Sequence, residues 1–178
     1  MIDYISIIDR YYSEQPELRE LLLTHSRQVA DLAAQIIERK NLSLDSDFVE
    51  EAAMLHDIGV IYTDAPSILC YGSEPYLRHG IIGAEMLERE GLPRHARVAA
   101  THIGAGLTAT EIEEQGLPLP HRDFLPDSIE EKLVCYADNF FSKSHIGPAR
   151  TVGQVRRSMA RYGEGTMSRL EAMIAMFE

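Results

Sequence analysis

Six polar residues fall where a helical reading of the chain buries them: His25, His56, Asp57, His79, His102 and Asp138. Each lies on or beside the apolar stripe of a segment with three-and-four periodicity, or at that segment's end. A buried imidazole or carboxylate without a partner is penalised by several kcal/mol, so such groups are hydrogen-bonded, ion-paired or bound to metal. Taken singly, each histidine reads as a hydrogen-bonded core residue. Taken together they read as a metal site. Iron, manganese and zinc accept imidazole nitrogen and carboxylate oxygen, and the adjacent His56 and Asp57 offer both donor types from one point of the backbone. A carboxylate can also bridge two ions. The set exceeds what a tetrahedral structural zinc uses, and it contains no cysteine.

The elements that must position these residues are helices, because sustained period-two alternation is absent and the predicted fold class is all-α. A short helix is predicted over Asp3 to Tyr12. A long one follows from Pro16 to about Lys40, with His25 on its buried stripe. Asp47 with Glu50 reads as the capping box of a third helix, Phe48 to His56, stopped by Gly59. The stretch from Val60 to Tyr76 is dense in turn residues and reads as a long loop. Helices over Leu77 to Glu90 and Arg94 to His102 each bear a histidine on the apolar side. Thr110 with Glu113 caps a short sixth helix, and a proline-rich irregular segment runs to Pro126. Ser128 with Glu131 opens a seventh, with Ile129, Leu133, Ala137 and Phe140 on its core face and Asp138 beside it. Helices over Val152 to Tyr162 and Thr166 to Phe177 close the chain.

At 178 residues, 45% apolar and 25% charged, the composition is that of an ordinary globular protein and predicts a single domain over residues 1–178. Lys plus Arg total 17 against 28 Asp plus Glu, a net charge of −11, which argues against duplex nucleic acid as a partner. Two cysteines, Cys70 and Cys135, form no disulfide framework or paired zinc spacing. No leader pattern opens the chain and no apolar run is long enough to span a bilayer, so a cytoplasmic protein without a membrane partner is expected. Oligomeric state is not readable from this chain.

The segment Ala52-Ala-Met-Leu-His56-Asp57-Ile-Gly59 resembles the His-Asp core of the HD-domain metal-dependent phosphohydrolases, in the variant called HDIG. Flanking signals are similar to the family's other motifs: Leu22-Leu-Thr-His25, His79-Gly-Ile-Ile-Gly-Ala-Glu85, Ala99-Ala-Thr-His102, and Glu131-Lys-Leu-Val-Cys-Tyr-Ala-Asp138-Asn. The motif-bearing core covers about residues 21–143, with the helices of 151–178 packed on it. The resemblance implies a helical bundle around a central metal site. His79 and His102 further resemble the two-metal subgroup, which implies one ion on His25, His56, Asp57 and Asp138. A second ion would be held by His79 and His102 and bridged by Asp57. By the same likeness Asp57, His79 and His102 are catalytic, and a metal-activated hydroxide cleaves a phosphoester or phosphoanhydride of a nucleotide or similar small phosphorylated substrate. Two divalent ions are expected, iron or manganese by ligand type, with magnesium, nickel and zinc as further options.

The sequence departs from the pattern at Val60, where many members carry lysine. Replacement cations near a motif are Arg27, Arg78, Arg122 and Lys143, and His121 is a loop residue that could contact substrate; each has an ordinary surface role as its alternative reading. His95 and His145 read as surface residues. Met167, Met173 and Met176 read as core filler, Cys135 as a small buried hydrophobe and Cys70 as a loop residue open to exposure. Gly83 and Gly104 are expected to permit close backbone approach. The same ligand frame also resembles di-iron oxygenases of a polyol or phosphonate, and a non-catalytic, metal-stabilised regulatory module is the third reading.

Overall fold

Capping chemistry sets where several helices begin. In the computed structural model, which describes residues 1–178, the Asp3 carboxylate accepts from the Ser6 N–H and opens α1 (Tyr4–Tyr12). Pro16, needing no N–H at a first-turn position, opens α2 (Pro16–Lys40), and Asn41 in the left-handed region closes it. The cap of α3 (Ser46–Leu55) is Asp45, which accepts from Phe48 N–H at 3.1 Å, and not Asp47. Any acid of the Asp45-Ser46-Asp47 run could cap; the register that buries Phe48, Val49 and Ala52 together selects the first. Ser128 caps α7 (Ile129–Asp138) as predicted, although Ile129 in its first turn points outward and is 44% exposed.

The remaining helices are α4 (His79–Arg89), α5 (Pro93–Thr101), α6 (Ala109–Glu114), α8 (Val152–Met159) and α9 (Glu164–Phe177). The architecture is all-α apart from one small sheet. The box of α6 is Thr108 with Glu111, two residues before the predicted pair, because Leu107 and Phe124 exchange backbone hydrogen bonds at 3.0 and 2.7 Å and deliver the chain at Thr108. In α9 Met173 is buried, whereas Met176 is 37% exposed and does not fill the core.

The segment predicted as a long loop is ordered by short elements. A 3-10 turn (Ile58–Tyr62) leads into β1 (Thr63–Ala65), which lies between β2 (Cys70–Tyr71), antiparallel to it, and β3 (Glu74–Pro75), parallel to it. Asp64 pairs with Tyr71 and Thr63 with Glu74. Turn residues punctuate these pieces, while buried Ile61, Ile68 and Cys70 pin the segment to the core; Cys70 is fully buried, not exposed.

Apolar packing forms two principal clusters. One gathers Val29, Ala52, Val98, Val134 and Phe177 from α2, α3, α5, α7 and α9; the other gathers Ile8, Leu22, Leu55, Ile58 and Ala99 around α1, α4 and α5. His25 lies between Leu22 of one and Val29 of the other, His56 between Met54 and Ile58, and His102 just after Val98 and Ala99. The polar residues thus sit on the seam between two cores. At that seam the turn after α3 meets α4 backbone to backbone: a Cβ on Gly59 would lie 2.2 Å from the His79 carbonyl oxygen and 2.4 Å from the Gly83 nitrogen.

His95 is buried rather than on the surface. Its Nε2–H donates to Glu51 Oε2 at 3.0 Å, its ring edge packs on Phe48, and Glu51 Oε1 also accepts from the Ile2 N–H. Burial lowers the pKa of this imidazole below its ordinary 6.5, against the opposing pull of Glu51. With the folded pKa depressed, the unfolded chain takes up the proton first, so stability falls as pH drops below about 6.5 and levels once the folded residue titrates. Urea midpoints measured from pH 7.5 to 5 are expected to fall more steeply in the wild type than in His95→Gln; parallel curves would contradict this.

Candidate metal centre

Five elements deliver the six polar residues. His25 projects from the middle of α2, His56 caps the C-terminus of α3, His79 begins α4, His102 ends α5 and Asp138 is the last residue of α7. Asp57, between α3 and the 3-10 turn, has φ −101° and ψ 8°, the bridge conformation that turns a side chain away from a regular helix face. His25, His56 and Asp57 are fully buried, His79 and His102 nearly so, and only the Asp138 side chain keeps contact with solvent, at 17%.

The donors divide into two sets that share Asp57. Its Oδ2 faces His25 Nε2 at 3.3 Å and His56 Nε2 at 3.2 Å, and Asp138 Oδ1 completes that set at 2.9 Å from His25 and 3.4 Å from His56. Its Oδ1 faces His79 Nε2 at 3.3 Å and His102 Nε2 at 3.4 Å. Ligand bonds of about 2.1 Å to one divalent ion place neighbouring donors roughly 3.0–3.5 Å apart, so both sets have coordination spacing.

Ring orientation carries the test of fit. The Nδ1–H groups of His56, His79 and His102 donate to the carbonyls of Ala53, Tyr76 and Ala99 at 2.6, 2.6 and 2.7 Å. A neutral imidazole that gives its Nδ1 proton away presents Nε2 as a lone pair, the arrangement metal-bound histidines use. His79 Nε2 and His102 Nε2 then face each other at 3.1 Å with lone pairs opposed, which is repulsive without a cation between them. His56 Nε2 and Asp57 Oδ1 are buried without a hydrogen-bond partner in the protein, and Asp57 Oδ2 meets the Lys143 ammonium. Buried imidazole and carboxylate groups converging in this number fit divalent metal.

Electrostatics agree. Burial works against charge on Asp57, and the His56 imidazolium and the Lys143 ammonium overcome it, holding the carboxyl well below the ordinary carboxylate range. Asp138 is held low in the same way, with Lys143 its foremost charged neighbour. Burial together with its neighbours pushes His102 down to about 4, whereas the Asp57 and Asp138 carboxylates overcome burial at His56 and push it up to about 10. To hold an ion in the His25 set, His56 would have to give up that proton. Lys143 Nζ lies 2.5 Å from Asp57 Oδ2 and 3.4 Å from His25 Nε2.

Lys143 and Asp138 also line a cavity of about 820 Å³ that opens beside the centre, with Tyr76, Phe141, Ile103 and Leu107 in its walls. Tyr76 stacks on the His79 ring at 4.6 Å and supplies the carbonyl that orients it. Sequence reasoning passed over Tyr76, although its place three residues before His79 is the relation Ala53 bears to His56 and Ala99 to His102. Asn139, also passed over, donates to the Gly104 and Cys135 carbonyls and ties the end of α7 to the Gly104 turn. Of the cations proposed to replace a lysine at position 60, the structure brings only Lys143 to the centre. Arg27 pairs with Glu50 and the Tyr4 hydroxyl, and lines a separate groove between α2 and α3. Arg78 pairs with Glu74 and reaches the Pro118 carbonyl, Arg122 lies over the Phe124 ring, and exposed His121 faces Glu113; none of the three lines the cavity.

The chain is 33% identical over 124 residues to a tRNA (cytidine(56)-2′-O)-methyltransferase of Thermoplasma volcanium, covering 69% of this chain and 32% of that protein. It is 33% identical over 128 residues to the enzyme of the same name from Picrophilus torridus, covering 71% and 33% respectively. An uncharacterised protein of Methanocaldococcus jannaschii is 36% identical over 124 residues, 67% of this chain and 66% of that protein. The matched stretch thus spans about a third of each methyltransferase and about two thirds of the third relative. No solved structure matches. A sequence profile described as the HD domain matches residues 22–142, a stretch that includes every one of the six donors, and the chain therefore belongs to the HD domain family.

Proposed function

We propose that the protein is a phosphohydrolase dependent on two divalent ions, acting on a phosphoester or phosphoanhydride of a nucleotide or similar small phosphorylated substrate. The observation that carries the reading is the division of Asp57: one carboxylate oxygen faces the His25, His56 and Asp138 donors, the other faces His79 and His102. His25, His56, Asp57 and Asp138 would hold one ion, and Asp57, His79 and His102 the other. When bound, such a pair supplies Lewis-acid activation of water and of a phosphoryl oxygen. Iron or manganese suits four imidazoles better than magnesium does, with nickel and zinc as further options.

The chain's own groups do the rest. Asp57 fixes the spacing of the two donor sets, while the Ala53, Tyr76 and Ala99 carbonyls hold the imidazoles in the accepting tautomer. Lys143 stands where the centre meets the cavity and offers an ammonium to a phosphoryl oxygen, the service that Val60 cannot give. Val60 is fully buried in the apolar cluster beneath the turn. Nothing in a donor set of imidazoles and carboxylates calls for methyl transfer, so the activity of the two methyltransferases is not carried over.

Metal-loaded protein is expected to release phosphate or nucleotide product from at least one member of a panel of mononucleotides, cyclic nucleotides, dinucleoside polyphosphates and generic phosphodiesters, and to stop on chelation. Lys143→Met is expected to lower kcat/KM by about 10- to 100-fold, the loss of one charge-assisted contact. Protein that retains two ions and hydrolyses nothing refutes the reading. Oxygen consumption with a polyol or a phosphonate under a strict iron requirement would replace it with oxidation, and activity indifferent to His102→Ala would replace it with a regulatory module.

A further inference from the structure

The walls of the 820 Å³ cavity invert the charge balance of the protein. They hold three cations, Lys143, Arg150 and Arg161, against the single carboxylate of Asp138, in a chain with 17 basic and 28 acidic residues. Lys143 already serves the metal centre, beside Asp57. The two arginines are not committed: ten of the fourteen arginines form an ion pair with Asp, Glu or the chain's acidic end residue, and Arg150 and Arg161 are outside that group. In an acidic protein, two arginines free of carboxylate in the lining of one cavity are the charge pattern of an anion site.

The Arg161 side chain and the backbone that carries Arg150 are also placed. The Arg161 guanidinium lies over the Tyr162 ring at 4.8 Å and donates to the Tyr162 hydroxyl at 2.7 Å, which holds it at the cavity wall. Arg150 is anchored through its backbone N–H, which donates to the Phe140 carbonyl at 2.9 Å beside the cavity-lining Phe141. Phe141, Met159, Ile103 and Leu107 give the same cavity an apolar lining suited to the body of a small organic molecule. The volume is within the range of sites that enclose such ligands.

We propose that Arg150 and Arg161 form a second anion subsite, and that the substrate is a nucleotide-like molecule with a second phosphate remote from the scissile one. This rests on the reading of the cavity as the substrate chamber of a phosphohydrolase. Guanidinium groups grip phosphate through paired N–H donors, so the subsite selects for doubly phosphorylated over singly phosphorylated substrates.

The test compares adenosine 3′,5′-bisphosphate with adenosine 5′-monophosphate on metal-loaded protein, binding being measured by calorimetry and hydrolysis in parallel by phosphate release. The bisphosphate is expected to bind about tenfold more tightly or better, and Arg150→Gln/Arg161→Gln to remove that advantage while leaving monophosphate affinity within about twofold. Arg161→Lys in place of the glutamine is expected to restore part of the preference, and raising salt to narrow it. Both arginines are exposed, so the substitutions leave the apolar clusters intact. Equal affinity for the two ligands in the wild type, or equal loss of both in the double variant, overturns the subsite. A bisphosphate preference that depends on the arginines without any hydrolysis supports the subsite and overturns the phosphohydrolase reading, while hydrolysis without the preference does the reverse.

Discussion

Asp57→Ala is expected to empty both donor sets, taking metal content from about two ions per chain to near none by elemental analysis of purified protein. No other residue has this reach, because its two oxygens lie 3.2–3.4 Å from four different imidazole nitrogens. His79→Ala, by contrast, removes a donor only from the smaller set and is expected to leave the ion of His25, His56, Asp57 and Asp138 in place. Activity should fall by well over the 10- to 100-fold typical of residues that merely orient a ligand. The variant also leaves the Lys143 ammonium facing a centre without its carboxylate, a loss of about 3–5 kcal/mol for a buried pair. Asp57→Asn, of the same shape, separates folding from metal binding: it is expected to fold and still lose the second ion. Chelator should lower the thermal midpoint of the wild type, because ions that bind only the folded chain stabilise it, and should leave that of Asp57→Ala unmoved. Full occupancy in Asp57→Ala would refute the shared carboxylate.

The helices that carry the donors were legible because an amphipathic pattern and its caps are local properties. Pro16 and Ser128 open α2 and α7 where the sequence places them. Where several capping residues compete, local rules no longer decide. Asp45 rather than Asp47 caps α3 because burial of Phe48 and Val49 chooses the register, and Thr108 rather than Thr110 caps α6 because the distant Phe124 pairs with Leu107. The same reason hides the order of residues 60–76, whose strands are two or three residues long and exist only through one another. His95 was misplaced for a different reason: its partner Glu51 is 44 positions away, and a lone histidine early in a helix carries no sign of it.

For the site, residue type and phase sufficed to bring six donors to mind, since polar groups on apolar stripes are costly unless they converge. The division of Asp57 between two sets is a fact of side-chain geometry, implied beforehand by resemblance alone. Cations were harder to place because nearness to a motif in sequence says little about direction. Arg27 lies two residues from His25 and turns to Glu50, and Arg78 adjoins His79 and turns to Glu74, whereas Lys143 reaches Asp57 from five residues beyond Asp138. Arg150 and Arg161 lie beyond every motif, and only the fold of the C-terminal segment against the cavity gives them a place.

Gly59→Ala is expected to be among the most damaging single substitutions outside the donors. A methyl group there would lie 2.2 Å from the His79 carbonyl oxygen and 2.4 Å from the Gly83 nitrogen, both backbone atoms that no side-chain rotation can move. The strain must be relieved by shifting α4 off the turn, at about 3 kcal/mol or more, the upper range for overpacking, or roughly 10 °C in thermal midpoint. Because α4 begins at His79, that shift also draws its imidazole from Asp57, and the ion shared by Asp57, His79 and His102 should be lost. Gly91→Ala supplies the contrast. Gly91 has φ +75° with nothing within 4 Å of a new Cβ, so only the left-handed conformation is penalised, by about 1–2 kcal/mol, and metal content should not change. A Gly59→Ala protein that melts within a few degrees of wild type and keeps both ions would show that the crossing of the turn and α4 does not position the centre.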